Sequence, residues 1–285
     1  MSLRCLNPKV VNTYMYNSAS DFTPHGIKKI FYHIVPCGHC VNCLQNDSLD
    51  WTLRLVLEAE VSETAWFVTL TFDEDHVHPV CLEDVQRFMN SLRKKYKRLC
   101  EEKGISVNKL GYFAVGEYGR EENRPHYHLV LFDFPCSDWR ALQVFLEDVW
   151  HRGFVQCEPL SIETAGYIAK YLTKIDPRDH GDNPPFRVMS LKPAIGYTYF
   201  YSHPEIVDYL NHAKRLVITL RNGRKFRVPR SIRRKFLCID RQLEIRDYGR
   251  LSREDVDSFL TKDYLTNCRQ ENERKLNRIK RKFKG

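Results

Sequence analysis

The chain has 285 residues, 42% of them hydrophobic and 28% charged, the balance of a folded protein with its own core rather than of a disordered tail or a fibrous repeat. Forty-five lysines and arginines against 36 acids leave a net charge of +9, which favours an anionic partner. No apolar run approaches a membrane span, and the start, MSLRCLNPKV, has neither the apolar stretch nor the small-residue cleavage site of a secretory signal, so a cytoplasmic protein with no membrane partner is expected.

In chain order, a cysteine-bearing segment comes first. Ten cysteines in a cytoplasmic chain read as thiols or metal ligands rather than disulfides. Cys37-Gly38-His39-Cys40-Val41-Asn42-Cys43 contains two overlapping C-x-x-C spacings, the bite that closes on a tetrahedral Zn²⁺, with Cys5, His33 or His39 as the fourth ligand. The competing reading is a loop of free thiols. A helix is predicted from about Leu44 to Ser62.

From Trp66 to Lys174 the pattern is more telling. WFVTLTF (66–72) is a strand of β-branched and aromatic residues, followed by an amphipathic helix from Leu82 to Lys103 that Gly104 ends. Val85, Phe88, Met89, Leu92, Tyr96 and Leu99 make its apolar stripe. LGYFAVGEY (110–118) and HYHLVLFDF (126–134) are strands joined by a short charged turn, so they should pair antiparallel. A helix from about Asp138 to Trp150, with Trp139, Leu142, Phe145, Leu146 and Val149 inward, leads to a fourth strand, GFVQCEPL (153–160). The order β-α-β-β-α-β predicts an α+β, ferredoxin-like core with an antiparallel sheet, and a further helix carries Tyr167 and Tyr171.

Beyond this core, Pro177, Pro184, Pro185 and Pro193 mark a boundary. A hairpin turns at Asn222-Gly223, and a charged helix starts near Ser252. Three parts are expected: residues 1–65, 66–176 and 177–285. Between Arg221 and Lys235 there are eight basic residues and no acid: Arg221, Arg224, Lys225, Arg227, Arg230, Arg233, Arg234 and Lys235. Arg274 to Lys284 adds seven more. Such runs are often solvated faces, but two of them beside a phosphoryl-transfer site favour nucleic acid.

That site is read from two segments. In RPHYHLVLF, alternation along a strand puts His126 and His128 on one face, spaced to grip a cation. Glu117, at the end of the strand expected to pair with them, can add an oxygen ligand, leaving open positions as Mg²⁺ or Mn²⁺ chemistry needs. Its competing partners are Arg120 and Arg124. A second literal match, His76-Val77-His78, stands among Asp73-Glu74-Asp75 and Pro79 and reads as a surface loop. In the second segment Tyr167 and Tyr171 stand four residues apart on a helix, with Lys170 and Lys174 beside them. Aromatic pairs at this spacing are usually core, but the lysines argue against full burial. A phenol of pKa about 10 needs such positive charge to attack a phosphodiester at neutral pH.

Taken together, Phe67–Phe72, Arg124-Pro125-His126-Tyr127-His128 and Tyr167-x-x-Lys170-Tyr171-x-x-Lys174 resemble the HUH-type rolling-circle replication initiators, most closely those of the microviruses and their gokushovirus branch. The Pro36–Cys43 segment is shared with that family, and Val228-Pro229-Arg230 is a weaker echo. The resemblance covers about Cys5 to Lys174, and its motifs are specific jointly rather than singly. It implies that His126, His128 and Glu117 hold the metal and that Tyr167 or Tyr171 becomes joined to DNA. It also implies nicking of single-stranded DNA at a phage origin in a bacterial cytoplasm, with a 5′-phosphotyrosine link, later rejoining, and host helicase and polymerase as partners. Tyr127 departs from the aliphatic residue usual in the family, but it points to the opposite face. A non-catalytic, zinc-containing nucleic-acid-binding protein, or a plasmid or transposon initiator of the same fold, are the alternatives.

Overall fold

A computed structural model describes residues 4–16, 27–119, 124–171 and 183–248, together with 266, 270, 271, 273 and 274. Arg120, Lys174, Pro177, the helix expected from Ser252 and the basic tail after Arg274 lie outside the residues described, save for single positions. Two compact units divide the chain, Met1–Asp47 with Val207–Gly285 in one and Ser48–Ile206 in the other.

In the first unit, β1 (Lys9–Tyr16) and β2 (Ile27–Val35) pair antiparallel, Lys9 opposite Val35. The sequence pattern does not predict this hairpin, because apolar and polar residues do not alternate cleanly in KVVNTYMY or IKKIFYHIV. Helix α1 (Val41–Ala59) follows and runs across the boundary between the units.

The second unit is built on β3 (Ala65–Thr71), α2 (Leu82–Lys103), β4 (Gly111–Tyr118), β5 (Pro125–Phe132), α3 (Trp139–Trp150), β6 (Val155–Pro159) and α4 (Ile162–Lys170). Strand order is β6-β3-β5-β4, with every neighbouring pair antiparallel, as the ferredoxin-like reading requires. One face is covered by α2 and α3. Val85, Phe88, Met89, Leu92 and Tyr96 of α2 and Leu142, Leu146, Val149 and Trp150 of α3 pack on Val68, Leu70, Tyr127, Leu129 and Leu131. Trp139, expected inward, is exposed at the first position of α3, where Asp138 caps the helix. Trp150 takes the inward place, its indole N–H donating to the Thr71 carbonyl at 2.8 Å.

The opposite face is covered by α1 and α4. Trp51 and Leu55 of α1 and Ala165, Ile168, Ala169 of α4 pack on Phe67, Phe113, Val115, Val130 and Phe132. Helix α4 starts earlier than the tyrosine run predicts, because Ser161 and Thr164 form a reciprocal capping box. It ends at Lys170, with Tyr171 as its C-cap.

A fifth strand, β7 (Phe186–Met189), joins the sheet beside β4, with Gly116 opposite Phe186 and Val115 opposite Arg187. It lies inside the proline-rich connection. Pro184 and Pro185 stand just before it, where missing N–H groups remove no ladder bond, and the strand occupies an edge. Helices α5 (Tyr197–Ser202) and α6 (Pro204–His212) follow. In the first unit, β8 (Val217–Thr219) and β9 (Lys225–Arg227) form the expected hairpin, and α7 (Arg230–Phe236) and α8 (Ile239–Tyr248) come next. Gly223 holds φ at +77° in the turn, a left-handed value that a side chain strains. The four short helices lack a long apolar stripe, which is why the pattern does not announce them.

Candidate active site

Register brings the candidate ligands together. Glu117 on β4 lies opposite His126 on β5, and His128 lies between Val115 and Thr69 of the flanking strands, so all three side chains emerge on the α1–α4 face. Glu117 Oε1 is 2.8 Å from His126 Nε2 and 3.4 Å from His128 Nε2. The other ring nitrogens are held in place: His126 Nδ1 is 3.1 Å from the Arg124 carbonyl oxygen, and His128 Nδ1 is 3.0 Å from the Thr69 hydroxyl. With Nδ1 protonated and donating to those oxygens, both Nε2 lone pairs face one carboxylate oxygen. Such outer partners fix the tautomer of metal-binding histidines.

These three donors fit a divalent cation. Neighbouring ligands of an octahedral ion at about 2.1 Å stand about 3 Å apart, the scale of the separations seen here. Glu117 and His128 are buried and His126 is partly so. Burial works against the Glu117 carboxylate, but the hydrogen bonds and charges of His126 and His128 outweigh it and hold its pKa below the ordinary value. The glutamate is therefore an anion at neutral pH. Arg124, one of its expected competitors, is engaged elsewhere, with Glu74 at 2.8 Å and the Phe72 carbonyl at 2.7 Å.

Both tyrosines reach the same place, in unequal settings. The ring of Tyr171 stacks on His128 at 5.1 Å between centroids, and Tyr167 meets His128 edge-on at 5.4 Å and Tyr171 at 4.8 Å. Tyr167 is 45% exposed and Tyr171 only 6%. Burial, then hydrogen bonding to Tyr167 and the negative charge of Glu117, push the Tyr171 phenol far above its ordinary range. Full exposure of the pair, expected from the neighbouring lysines, is thus corrected for Tyr171. As the C-cap it turns inward beneath Ile168 and Ala169 of the buried stripe. Lys170 is exposed beside Tyr167, whereas Lys174 lies outside the described residues.

Two site neighbours carry no signal in the sequence beyond their strand pattern. Thr69 orients His128, and Phe67 stacks on the same ring at 5.4 Å. Period-2 spacing from Phe67 through Thr69 to Thr71 is what could have placed them on this face.

On the far face Tyr127 is fully buried, as its opposite orientation predicts, and its hydroxyl donates to Asp84 Oδ2 at 2.7 Å. Asp84, 1% exposed, also meets Arg152 Nη1 at 2.5 Å and His78 Nε2 at 3.3 Å. The His76–His78 loop therefore does more than face solvent: His78 reaches a buried carboxylate. His76 stays at the surface with Asp73, 2.6 Å away.

The basic run occupies the β8–β9 hairpin and α7. Arg221, Arg224, Lys225, Arg227, Arg230, Arg234 and Lys235 are exposed, while Arg233 is partly buried. Phe226, Val228 and Ile232 between them point inward, so the cations share the outside of this small element. Cys5, Cys37, Cys40 and Cys43 form a second cluster of candidate ligands. Among the described residues no helix is long and apolar enough to cross a membrane.

Comparison with known proteins agrees with this arrangement. The chain is 27% identical to the Replication-associated protein ORF2 of Spiroplasma virus 4 over 272 residues, covering 82% of this chain and 80% of the relative. It is 27% identical to the Replication-associated protein VP4 of Bdellovibrio phage phiMH2K over 252 residues, covering 80% and 75%. A structural search finds the N-terminal nuclease domain of the Minute virus of mice non-structural protein-1, at 12% identity, 62% coverage of this chain and 87% of that one, but a TM-score of 0.23 is too low to carry weight. The four core strands, the ligands and the tyrosines all fall within residues 65–176, which match the model of the Replication-associated protein ORF2 family, and by these similarities the chain belongs with the replication-associated proteins that its motifs resemble.

Proposed function

We propose that this protein starts rolling-circle replication by nicking single-stranded origin DNA through a tyrosine, and that it later rejoins the strand. The observation carrying this reading is the convergence of Glu117 Oε1, His126 Nε2 and His128 Nε2 on one point, with both tyrosine rings packed against His128. A divalent cation held there, Mg²⁺ or Mn²⁺, would polarise the scissile phosphate and offset the charge that otherwise opposes a phenolate.

Tyr167, the exposed member of the pair, is the first nucleophile. Its phenolic oxygen forms a bond to phosphorus, the phosphorus–O3′ bond breaks, and the leaving oxygen takes up a proton as a free 3′-hydroxyl for a host polymerase. The strand's 5′ end is left as a phosphotyrosine. One ester replaces another, so the bond is not lost to water and a 3′-hydroxyl can attack it in reverse. Lys170, exposed next to Tyr167, steadies the phosphate, and Lys174 takes the same role for Tyr171. Tyr171 serves the second cleavage, which releases the completed circle while Tyr167 is still esterified. The exposed cations from Arg221 to Lys235 hold the DNA backbone.

Cleavage of a labelled origin oligonucleotide tests the reading. His126→Ala, His128→Ala and Glu117→Ala should each lower nicking by about 100-fold or more, since even outer partners of a metal cost 10- to 100-fold. Excess chelator should do the same. Cleavage at the unmodified rate by any of the three would remove that residue from the metal set, while His76→Ala should change little.

A further inference from the structure

A second metal site, separate from the nicking centre, lies at the base of the β1–β2 hairpin. Cys5 stands four residues before β1, Cys37 two residues after β2, Cys40 immediately before α1, and Cys43 in its first turn. Folding brings Cys5, 32 residues distant in sequence, onto the C-x-x-C-x-x-C run. Cys5 Sγ is 3.8 Å from Cys40 Sγ, Cys37 Sγ is 3.9 Å from Cys43 Sγ, and all four sulfurs lie within 4.8 Å of one another. Four thiolates placed tetrahedrally about 2.3 Å from zinc stand about 3.8 Å apart along each edge. A disulfide needs about 2.05 Å, so neither pair is bonded.

Backbone amides point at these sulfurs. Cys37 N–H donates to Cys5 Sγ at 3.2 Å, Leu6 N–H to Cys40 Sγ at 3.4 Å, and both His39 and Cys40 N–H to Cys37 Sγ at 3.4 and 3.3 Å. Four donors aimed at sulfur favour thiolates over thiols, and so does the positive end of α1, which Cys40 and Cys43 occupy. Neither His33 nor His39 joins the four sulfurs at ligand distance. From this cluster we infer that Cys5, Cys37, Cys40 and Cys43 bind one Zn²⁺ as a closed, four-thiolate site. With no open position it does no chemistry on substrate. It fastens the start of β1, the end of β2 and the start of α1 to one another, a clasp for the open end of the hairpin.

Elemental analysis of the purified full chain should give one zinc per molecule, and titration with a mercurial should release it as four thiols react. Exchange with Co²⁺ should produce sulfur-to-cobalt charge-transfer absorption, a signal blind to a Mg²⁺ or Mn²⁺ ion on Glu117, His126 and His128. Cys5→Ser should cut that absorption by about a quarter or abolish metal retention, while His33→Ala, His39→Ala and Glu117→Ala leave it intact. Absence of zinc with all four thiols freely alkylated in the folded chain would overturn the inference. An unchanged cobalt spectrum in Cys5→Ser would overturn the assignment of the fourth ligand. If Cys5→Ser does not fold, the zinc-to-thiol ratio of the unaltered protein decides alone.

Discussion

His128 is the hinge of the site. Its Nδ1 is tied to Thr69, its Nε2 faces Glu117, and its ring is stacked against Phe67 and Tyr171. The tyrosines differ mainly in burial, and that difference orders their work. An exposed phenol can meet incoming DNA directly, whereas Tyr171 must wait until its surroundings become less negative. We therefore expect Tyr167→Phe to lower first-strand cleavage of a simple oligonucleotide at least about tenfold, or 1.4 kcal/mol in the barrier. Tyr171→Phe should leave that cleavage near normal but impair release of closed circles, and the double variant should form no adduct. Circle formation at the usual rate by Tyr171→Phe would make that tyrosine a packing residue. Much of this was legible in the sequence: period-2 spacing put His126 and His128 on one face, and the paired strand supplied Glu117. The inequality of the tyrosines was not, because it depends on where α4 ends, and the C-cap at Tyr171 has no Gly or Pro to mark it.

At the scale of elements, the core order and the long helices follow from patterns that the sequence states openly. Helix α2 ends at Lys103 because Gly104 takes the left-handed conformation, and its amide caps the last turn. Strand β7 was hidden by its prolines and its four-residue length, and β1 and β2 by their lack of alternation. Asp84 was equally hidden. In the first turn of α2 it reads as an ordinary helix-start acid, yet it is buried and joins α2 to β5 through Tyr127 and to Arg152 after α3. Burial alone would raise its pKa, but Tyr127, Cys81, His78 and Arg152 together lower it. A folded pKa below the unfolded one means that Asp84 adds stability above about pH 4, and that this is lost as pH falls through the folded value. Asp84→Ala should cost about 3 kcal/mol at neutral pH, the lower end for removing one member of a buried pair, since Arg152 is partly exposed. Urea midpoints between pH 2 and 7 will show it. The variant should lose part of the acid dependence seen in the parent, and equal slopes would assign that dependence to other groups.

For the whole molecule, the net charge of +9 and the exposed cations on the β8–β9 hairpin and α7 set how the chain meets DNA. Each phosphate contact releases counterions, so log affinity falls with log salt by about 0.7 per contact on a single strand. Replacing Arg224, Lys225 and Arg227 by alanine should flatten that slope by about 2 while leaving the metal requirement of cleavage unchanged. A slope equal to the parent's would reduce the run to a solvated face. The most direct test of the central claim is mass spectrometry of the covalent complex trapped on single-stranded origin DNA with Mn²⁺. The account requires a 5′-phosphotyrosine on Tyr167, joined by Tyr171 when a second cleavage is possible, and no adduct when His126 or His128 is replaced. DNA bound to any other residue, or no adduct from a chain that binds the same DNA tightly, would contradict it.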